Sequence, residues 1–280
     1  GNAGRTTNNV HVQQLSSLID ASEKVSVSGL AGSSYAFLVA AIFEKKKKTM
    51  VLVLDDKEKA AYIFNDLERL LPDQQVLFYP ASYRRPYEIE EVDNANVMMR
   101  ADALKRCSTN QKPTLIVSYP DALFEQVITK KELQKKTLTI QLGESIGRDL
   151  INEALFAYDF QRVDFVSQPG EFSVRGGIID IFSYDKDEPY RIEFFGDDVD
   201  RINCFDVETQ LSTKPLEKID IVAHLEHKLQ GEERQPIWSF LGDSTTYFLP
   251  AIADVIAVLD NLYDKSIEAY ASLESPINHS

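Results

Sequence analysis

Phe160-Gln-Arg-Val-Asp-Phe-Val-Ser-Gln-Pro-Gly170-Glu-Phe-Ser-Val-Arg175-Gly-Gly-Ile-Ile-Asp180-Ile-Phe182, continued by Pro189-Tyr-Arg-Ile-Glu-Phe-Phe195-Gly-Asp-Asp-Val-Asp-Arg201, is the stretch that decides the fold. Phe172–Val174, Gly177–Phe182 and Tyr190–Phe195 read as short strands separated by glycine and aspartate turns, the last two as a hairpin, with Arg201–Val207 adding another strand. Working outward, Lys135–Leu142 alternates through Leu138, Ile140 and Leu142, Ser145–Ala157 has helical character, and Lys218–Val222 closes the region as a strand. Residues 131–222 are therefore expected to form an antiparallel α+β domain.

Upstream the grammar differs. Val12, Leu15, Leu18 and Ile19 recur at helical spacing, Val25–Val27 makes a short strand, Gly29–Ser34 a turn and Tyr35–Phe43 an apolar helix ended by the cations Lys45–Lys48. The continuous apolar run Met50–Leu54 precedes a helix Glu58–Leu71. A strand Val76–Tyr79, a helix Asn94–Cys107, a strand Thr114–Ser118 and a helix Ala122–Ile128 follow. Buried strands alternating with helices imply a parallel sheet covered on both faces. Beyond His224 the chain is polar through Gln235, and Thr245–Leu249 and Val255–Leu259 again look like buried strands.

The 280 residues carry 30 Lys and Arg against 44 Asp and Glu, a formal charge of −14. That balance excludes tight nonspecific duplex binding by the chain as a whole, because a phosphate backbone rewards clustered cations. With 44% hydrophobic and 26% charged residues the composition is that of an ordinary globular protein. No stretch reaches the roughly 20 apolar residues of a membrane span, so a cytoplasmic location is expected. Cys107 and Cys204 are read as isolated buried thiols of a reducing compartment. His224 and His227 have helical metal-ligand spacing but no third ligand, so no metal is expected.

Gly29-Leu-Ala-Gly32-Ser-Ser34-Tyr35-Ala36 sits where a phosphate-binding loop belongs, between strand and helix. A working loop needs a second glycine, a lysine and a hydroxyl for magnesium; here those places hold Ser34, Tyr35 and Ala36. An ordinary strand-to-helix turn is the plain alternative. Near the other end, Val255-Ile-Ala-Val-Leu-Asp260-Asn261 resembles the acidic strand of an ATPase with an amide in place of the catalytic glutamate. An amide accepts no proton from an attacking water, so the two damaged elements together describe a degenerate nucleotide site.

The RGGIIDIF-to-FFGDDVDRI core resembles the second domain of UvrB. The match is closer to the UvrB-homology module at the N-terminus of the Mfd family of bacterial transcription-repair coupling factors, since Tyr35 and Asn261 fit that family and contradict UvrB. The resemblance spans roughly residues 20–280. It implies a degenerate P-loop helicase-like α/β domain at 22–130 (UvrB domain 1a-like), an α+β insert at 131–222 (domain 2-like), and a partial third subdomain from 1–21 with 223–280 (domain 1b-like). It implies an adaptor that recruits UvrA, and with it nucleotide excision repair, to RNA polymerase stalled at DNA damage. The chain itself would have no ATPase activity, cofactor or metal. ATP, magnesium, RNA polymerase and DNA would be handled by translocase and polymerase-binding parts beyond Ser280. The alternative is a fragment of a UvrB-type ATP-dependent damage-verification enzyme. The residues matching the UvrA-docking motif are Arg162, Arg175 and Phe182; two arginine forks beside an aromatic suit an acidic partner patch. A second reading pairs the arginines with Asp164, Asp180 or Glu193 inside the sheet and puts Phe182 in the core. The short YPASYRRPYEIEEVDN stretch from Tyr79 replaces the long DNA-clamping hairpin of UvrB; Tyr83, Arg84, Arg85 and Tyr87 are read as a solvated loop with some capacity to stack on nucleic acid.

Overall fold

The computed structural model describes residues 32–71, 76–83, 93–109, 112–227 and 231–249. These divide into two compact units. The first takes the described residues up to Asn96, Arg106–Gln126 and those from Gln235; the second takes Val97–Lys105 and Val127–Arg234.

In the first unit, Met50–Val53 is the continuous apolar run MVLV, buried at every position, as is Leu115–Ser118. Strands with no polar face must be covered on both sides, and parallel pairing suits them. The sheet has the order Thr246–Phe248, Met50–Val53, Leu115–Ser118, Val76–Phe78, all parallel, with Met50 in register with both Thr246 and Leu115. The expected parallel α/β sheet is present. Its edge strand Thr246–Phe248 comes from the segment expected in a third subdomain, and Val255–Leu259 and the N-terminal helix lie outside the described residues. The helix Lys57–Leu70 begins where Asp56 accepts from the Lys59 amide at 2.8 Å, and it buries Ala60, Ile63 and Leu67 at helical spacing.

Three local expectations are corrected. The helix expected from Tyr35 already begins at Gly32 and runs to Lys46, so Gly32 to Ser34 are helical rather than a loop. The helix expected over Ala122–Ile128 is a short one, Pro120–Phe124, followed by a strand Val127–Ile128. Proline at the first helical position starts that turn, while β-branched Val127 and Ile128 favour extended backbone. Thr129 then caps an unforeseen helix Lys130–Lys135 by accepting from the Glu132 amide at 3.1 Å. Cys204 is buried as expected, but Cys107 is only half-buried.

The second unit is built on a six-stranded sheet ordered Ser212–Pro215, Asp198–Phe205, Tyr190–Phe195, Ile178–Ile181, Glu171–Arg175, Gln161–Arg162. All pairs are antiparallel except the last. Phe172, Ile179, Ile181, Tyr190, Ile192, Ile202 and Cys204 fill one face and pack with Ile151 and Leu155 of the helix Arg148–Ala157. Ile140, Ile219 and Ile221 join them from a separate antiparallel pair, Thr137–Gln141 with Lys218–Val222. Because successive strand residues point to opposite faces, the other face carries the cross-strand rows Ser173, Asp180, Arg191, Asn203 and Arg175, Ile178, Glu193, Arg201. Over part of it sits a small apolar cluster of Val166, Phe182 and Phe205.

Gly170 turns the chain between the short edge strand and Glu171–Arg175 with φ +85°, and a Cβ there would overlap the Tyr184 hydroxyl. Gly176, at φ +58°, has open space around it. Gly170→Ala is therefore expected to cost about 2–4 kcal/mol, left-handed strain plus overpacking. Gly176→Ala should cost about 1–2 kcal/mol from strain alone. Thermal melts of the two variants side by side check the ordering.

Candidate functional site

Arg175 is the last residue of its strand, entering the Gly176–Gly177 hairpin, and the Arg148 guanidinium steadies that turn by donating to the Gly176 carbonyl at 2.7 Å. Cross-strand register puts Asp180 beside Ser173 and Arg191 on the same sheet face. Arg175 Nη2 donates to Asp180 Oδ2 at 2.7 Å. Arg191 grips the same carboxylate with two nitrogens, Nε to Oδ1 at 2.8 Å and Nη2 to Oδ2 at 3.0 Å. The Asp180 side chain is 2% exposed and that of Arg191 16%, whereas Arg175 keeps 40% of its surface in solvent. Arg191 is also held by the Gln210 carbonyl at 3.0 Å and lies 4.3 Å from the Phe205 ring centroid. Its hydrogen bond with Asp180 moves its pKa above the ordinary arginine value, outweighing burial.

The loop after the edge strand brings an aromatic to this arginine. Val163 N–H donates to the Phe172 carbonyl at 2.9 Å, and Glu171 Oε1 accepts from Ser167 N–H, Ser167 Oγ and Gln168 N–H at 2.9–3.0 Å. Pinned at both ends, the loop leaves Phe165 66% exposed, its ring centroid 5.4 Å from the Arg175 guanidinium carbon. Arg162, Val163, Asp164, Phe165, Val174 and Arg175 together line an open depression. Arg162 is exposed on the edge strand and has no ion pair among the described residues.

The structure thus brings Arg162 and Arg175 to one depression. The internal pairing considered from sequence holds for Arg175 with Asp180; Glu193 pairs with Arg201 at 3.4 Å instead. The second reading, which puts Phe182 in the core, holds: at 6% exposure it packs with Val166 and Phe205. The aromatic beside the arginines is Phe165, which the sequence reading passed over. Its signal was an aromatic directly after Asp164 and three residues from Arg162.

Of the nucleotide-site candidates, Tyr35 is 9% exposed and Ala36 fully buried, and burial together with Asp55 pushes the Tyr35 hydroxyl up to about 12. Gly32 and Ser34 lie in the helix backbone, and Gly29, Asp260 and Asn261 lie outside the described residues. So do Arg84, Arg85 and Tyr87 of the aromatic loop. Among the described residues no group of three or more His, Cys, Asp or Glu is arranged to hold a metal, and no helix is long and apolar enough to cross a membrane.

Residues 138–227 match the UvrB interaction domain family. The matched segment contains the whole depression, Arg162 to Arg175, together with Asp180 and Arg191 beneath it. Over a longer span the chain is 32% identical to the transcription-repair-coupling factor of Bacillus subtilis (209 residues, 74% of this chain and 18% of that protein). It is 30% identical to that of Myxococcus xanthus (239 residues, 83% and 20%) and 28% identical to that of Escherichia coli (204 residues, 73% and 18%). The chain spans about a fifth of the length of these relatives.

His224 and His227 within the same domain are not poised as ligands. Their rings stack at 3.7 Å, and His224 Nδ1 accepts from the Glu226 and His227 amides at 3.2 and 3.1 Å. Burial, then the charges of His227, Arg234 and Lys136, lower the His224 pKa to about 3. An unfolded histidine titrates near 6.5, so between these values the unfolded chain binds the extra proton. Stability is expected to fall as pH drops from about 6.5 towards 3. Urea unfolding across this range should show a shallower slope for His224→Asn.

Proposed function

We propose that this chain is a non-catalytic adaptor whose UvrB interaction domain docks UvrA through Arg162, Phe165 and Arg175, with Phe182 supporting the docking surface from below. The observation that carries this reading is the exposed pair of arginine forks around an exposed aromatic, inside the segment that matches the family. Arginine and aromatic side chains are the groups most often found at binding hot spots, and a guanidinium fork fits a partner carboxylate with two parallel bonds. In this reading UvrA presents acidic groups to the depression, and the chain brings excision repair to a cytoplasmic RNA polymerase stalled at DNA damage. Polymerase binding and ATP-driven translocation on DNA would belong to other parts of a longer protein, as the coupling-factor relatives suggest. The UvrB-type damage-verification reading is less favoured, because Tyr35 is a core residue rather than a cation facing a phosphate.

Reversing the charge of either arginine should reduce UvrA affinity. Losing one partner of a close interfacial charge pair costs on the order of 2–5 kcal/mol, or about thirty-fold to several-thousand-fold. The two variants are expected to part in stability. Arg162→Glu breaks no ion pair among the described residues and should melt like the parent, whereas Arg175→Glu sets a second carboxylate against buried Asp180 and should melt lower. Calorimetric titration with UvrA, beside thermal melts, measures both; unchanged affinity in the two variants removes them from the docking surface.

Titration with magnesium ATP should give no saturable heat, since a phosphate loop with Tyr35 and Ala36 in its lysine and hydroxyl places has neither cation nor metal ligand. A dissociation constant in the micromolar range would overturn this part of the reading.

A further inference from the structure

We propose that Asp180 is a positioning residue for docking: it fixes the Arg175 guanidinium beside Phe165 while leaving most of its donors free for the partner. The inference rests on the docking role of Arg175. Its basis is an asymmetry in how one buried carboxylate is shared. Arg191 takes Asp180 with two nitrogens, on both oxygens, and is itself held by Gln210 and by stacking on Phe205. That grip already compensates the buried charge. Arg175 adds a single bond from Nη2 to Oδ2, and its other donors have no partner among the described residues.

The consequence is electrostatic as well as geometric. Two guanidiniums share one carboxylate, so the cluster keeps a net positive charge even though Arg175 is already hydrogen-bonded. A flexible four-torsion side chain is thereby held before the partner arrives, and the ordering cost of binding falls. Holding one such side chain in advance is worth about two- to ten-fold in affinity. An exposed arginine without Asp180 would sample many rotamers, and its contact with Phe165 at 5.4 Å would be one among them. An isosteric amide in place of Asp180 has one acceptor oxygen and an NH2 group that repels a guanidinium donor. Arg191 has other anchors, so Arg175 is the one released.

The test is a double-mutant cycle read by calorimetric titration with UvrA, on the parent chain, Arg175→Ala, Asp180→Asn and the double variant. Asp180→Asn is expected to weaken binding about three- to ten-fold in the parent and by less than about two-fold in the Arg175→Ala background. A merely structural role lowers affinity equally in both backgrounds, and that result overturns the proposal, as does unchanged or tighter binding by Asp180→Asn, which would mean that Asp180 competes with the partner for Arg175. If Arg175→Ala binds like the parent, the docking reading itself fails and the positioning role falls with it, an outcome visible before the Asp180 variants are considered. Should Asp180→Asn not fold, Arg175→Lys replaces it: one ammonium cannot bond Asp180 and also offer a planar fork. A three- to ten-fold loss of UvrA affinity at an unchanged melting temperature is then expected, and parent-like affinity overturns the proposal.

Discussion

A carboxylate buried on a sheet must be paired, and in the second unit the pairing of Asp180 organises the open face. Removing a charge from water costs several kcal/mol unless close partners replace the solvent. Asp180 meets that condition only because hairpin register brings Arg191 directly across from it, while Arg175, five residues before it, reaches back over the Gly176–Gly177 turn. Slipping the register by one residue would send Asp180 into the apolar core among Ile179, Ile181 and Ile192 and turn those residues out to solvent. The ion triad and the hydrophobic face therefore specify the same register from opposite sides of the sheet.

The same economy recurs elsewhere in this unit. Arg100 is fully buried and paired with Glu226 at 2.7 Å, and Lys105 bridges Asp185 and Asp220 at 2.8 and 3.2 Å. Burial alone would lower the Lys105 pKa, yet the two carboxylates reverse that and raise it. Glu232 sits between Lys136 and Arg234. Such pairs add little net stability against apolar replacements, but breaking one leaves a costly buried charge. They act as registration pins, tying the helical segment around Lys105 and the strand Lys218–Val222 to defined positions in the unit.

How much of this was legible in the sequence depends on the range of the interaction involved. Continuous apolar runs such as Met50–Val53 and alternating ones such as Lys218–Val222 announce themselves, because burial on both faces or one imposes the pattern within a few residues. Local chemistry that competes with periodicity was harder to weigh. Pro120 and the β-branched Val127–Ile128 pair split what looked like one helix, and Gly32 entered a helix despite its appearance as a turn residue. For the candidate site the residue types were readable but their sharing was not. Arg175 could be assigned equally to a partner or to Asp180, and it took the position of Arg191, sixteen residues on, to show that Asp180 is already satisfied without it. Phe182 was readable as core, but the exposure of Phe165 was not, because it depends on the loop held by Glu171, a contact that no alternation pattern encodes.

The exposure of Phe165 beside the arginines also bears on how a chain of net charge −14 presents a surface to an acidic partner. A distributed negative charge repels such a partner at distances up to about the Debye length, roughly 8 Å at physiological salt, so attraction must come from a patch close at hand. The depression is lined by Arg162, Arg175 and Asp164, and the further carboxylate, Asp180, is buried beneath the arginines rather than beside them. Its field at the surface is offset by the two guanidiniums that cover it, and the exposed charge is cationic. Phe165 adds apolar area at low conformational cost, since an aromatic ring has two torsions to fix. Specificity then follows from the contrast: a partner with an acidic patch shaped to this depression is attracted here and repelled elsewhere, and like-charge repulsion over the rest of the chain is what discriminates against binding in any other orientation.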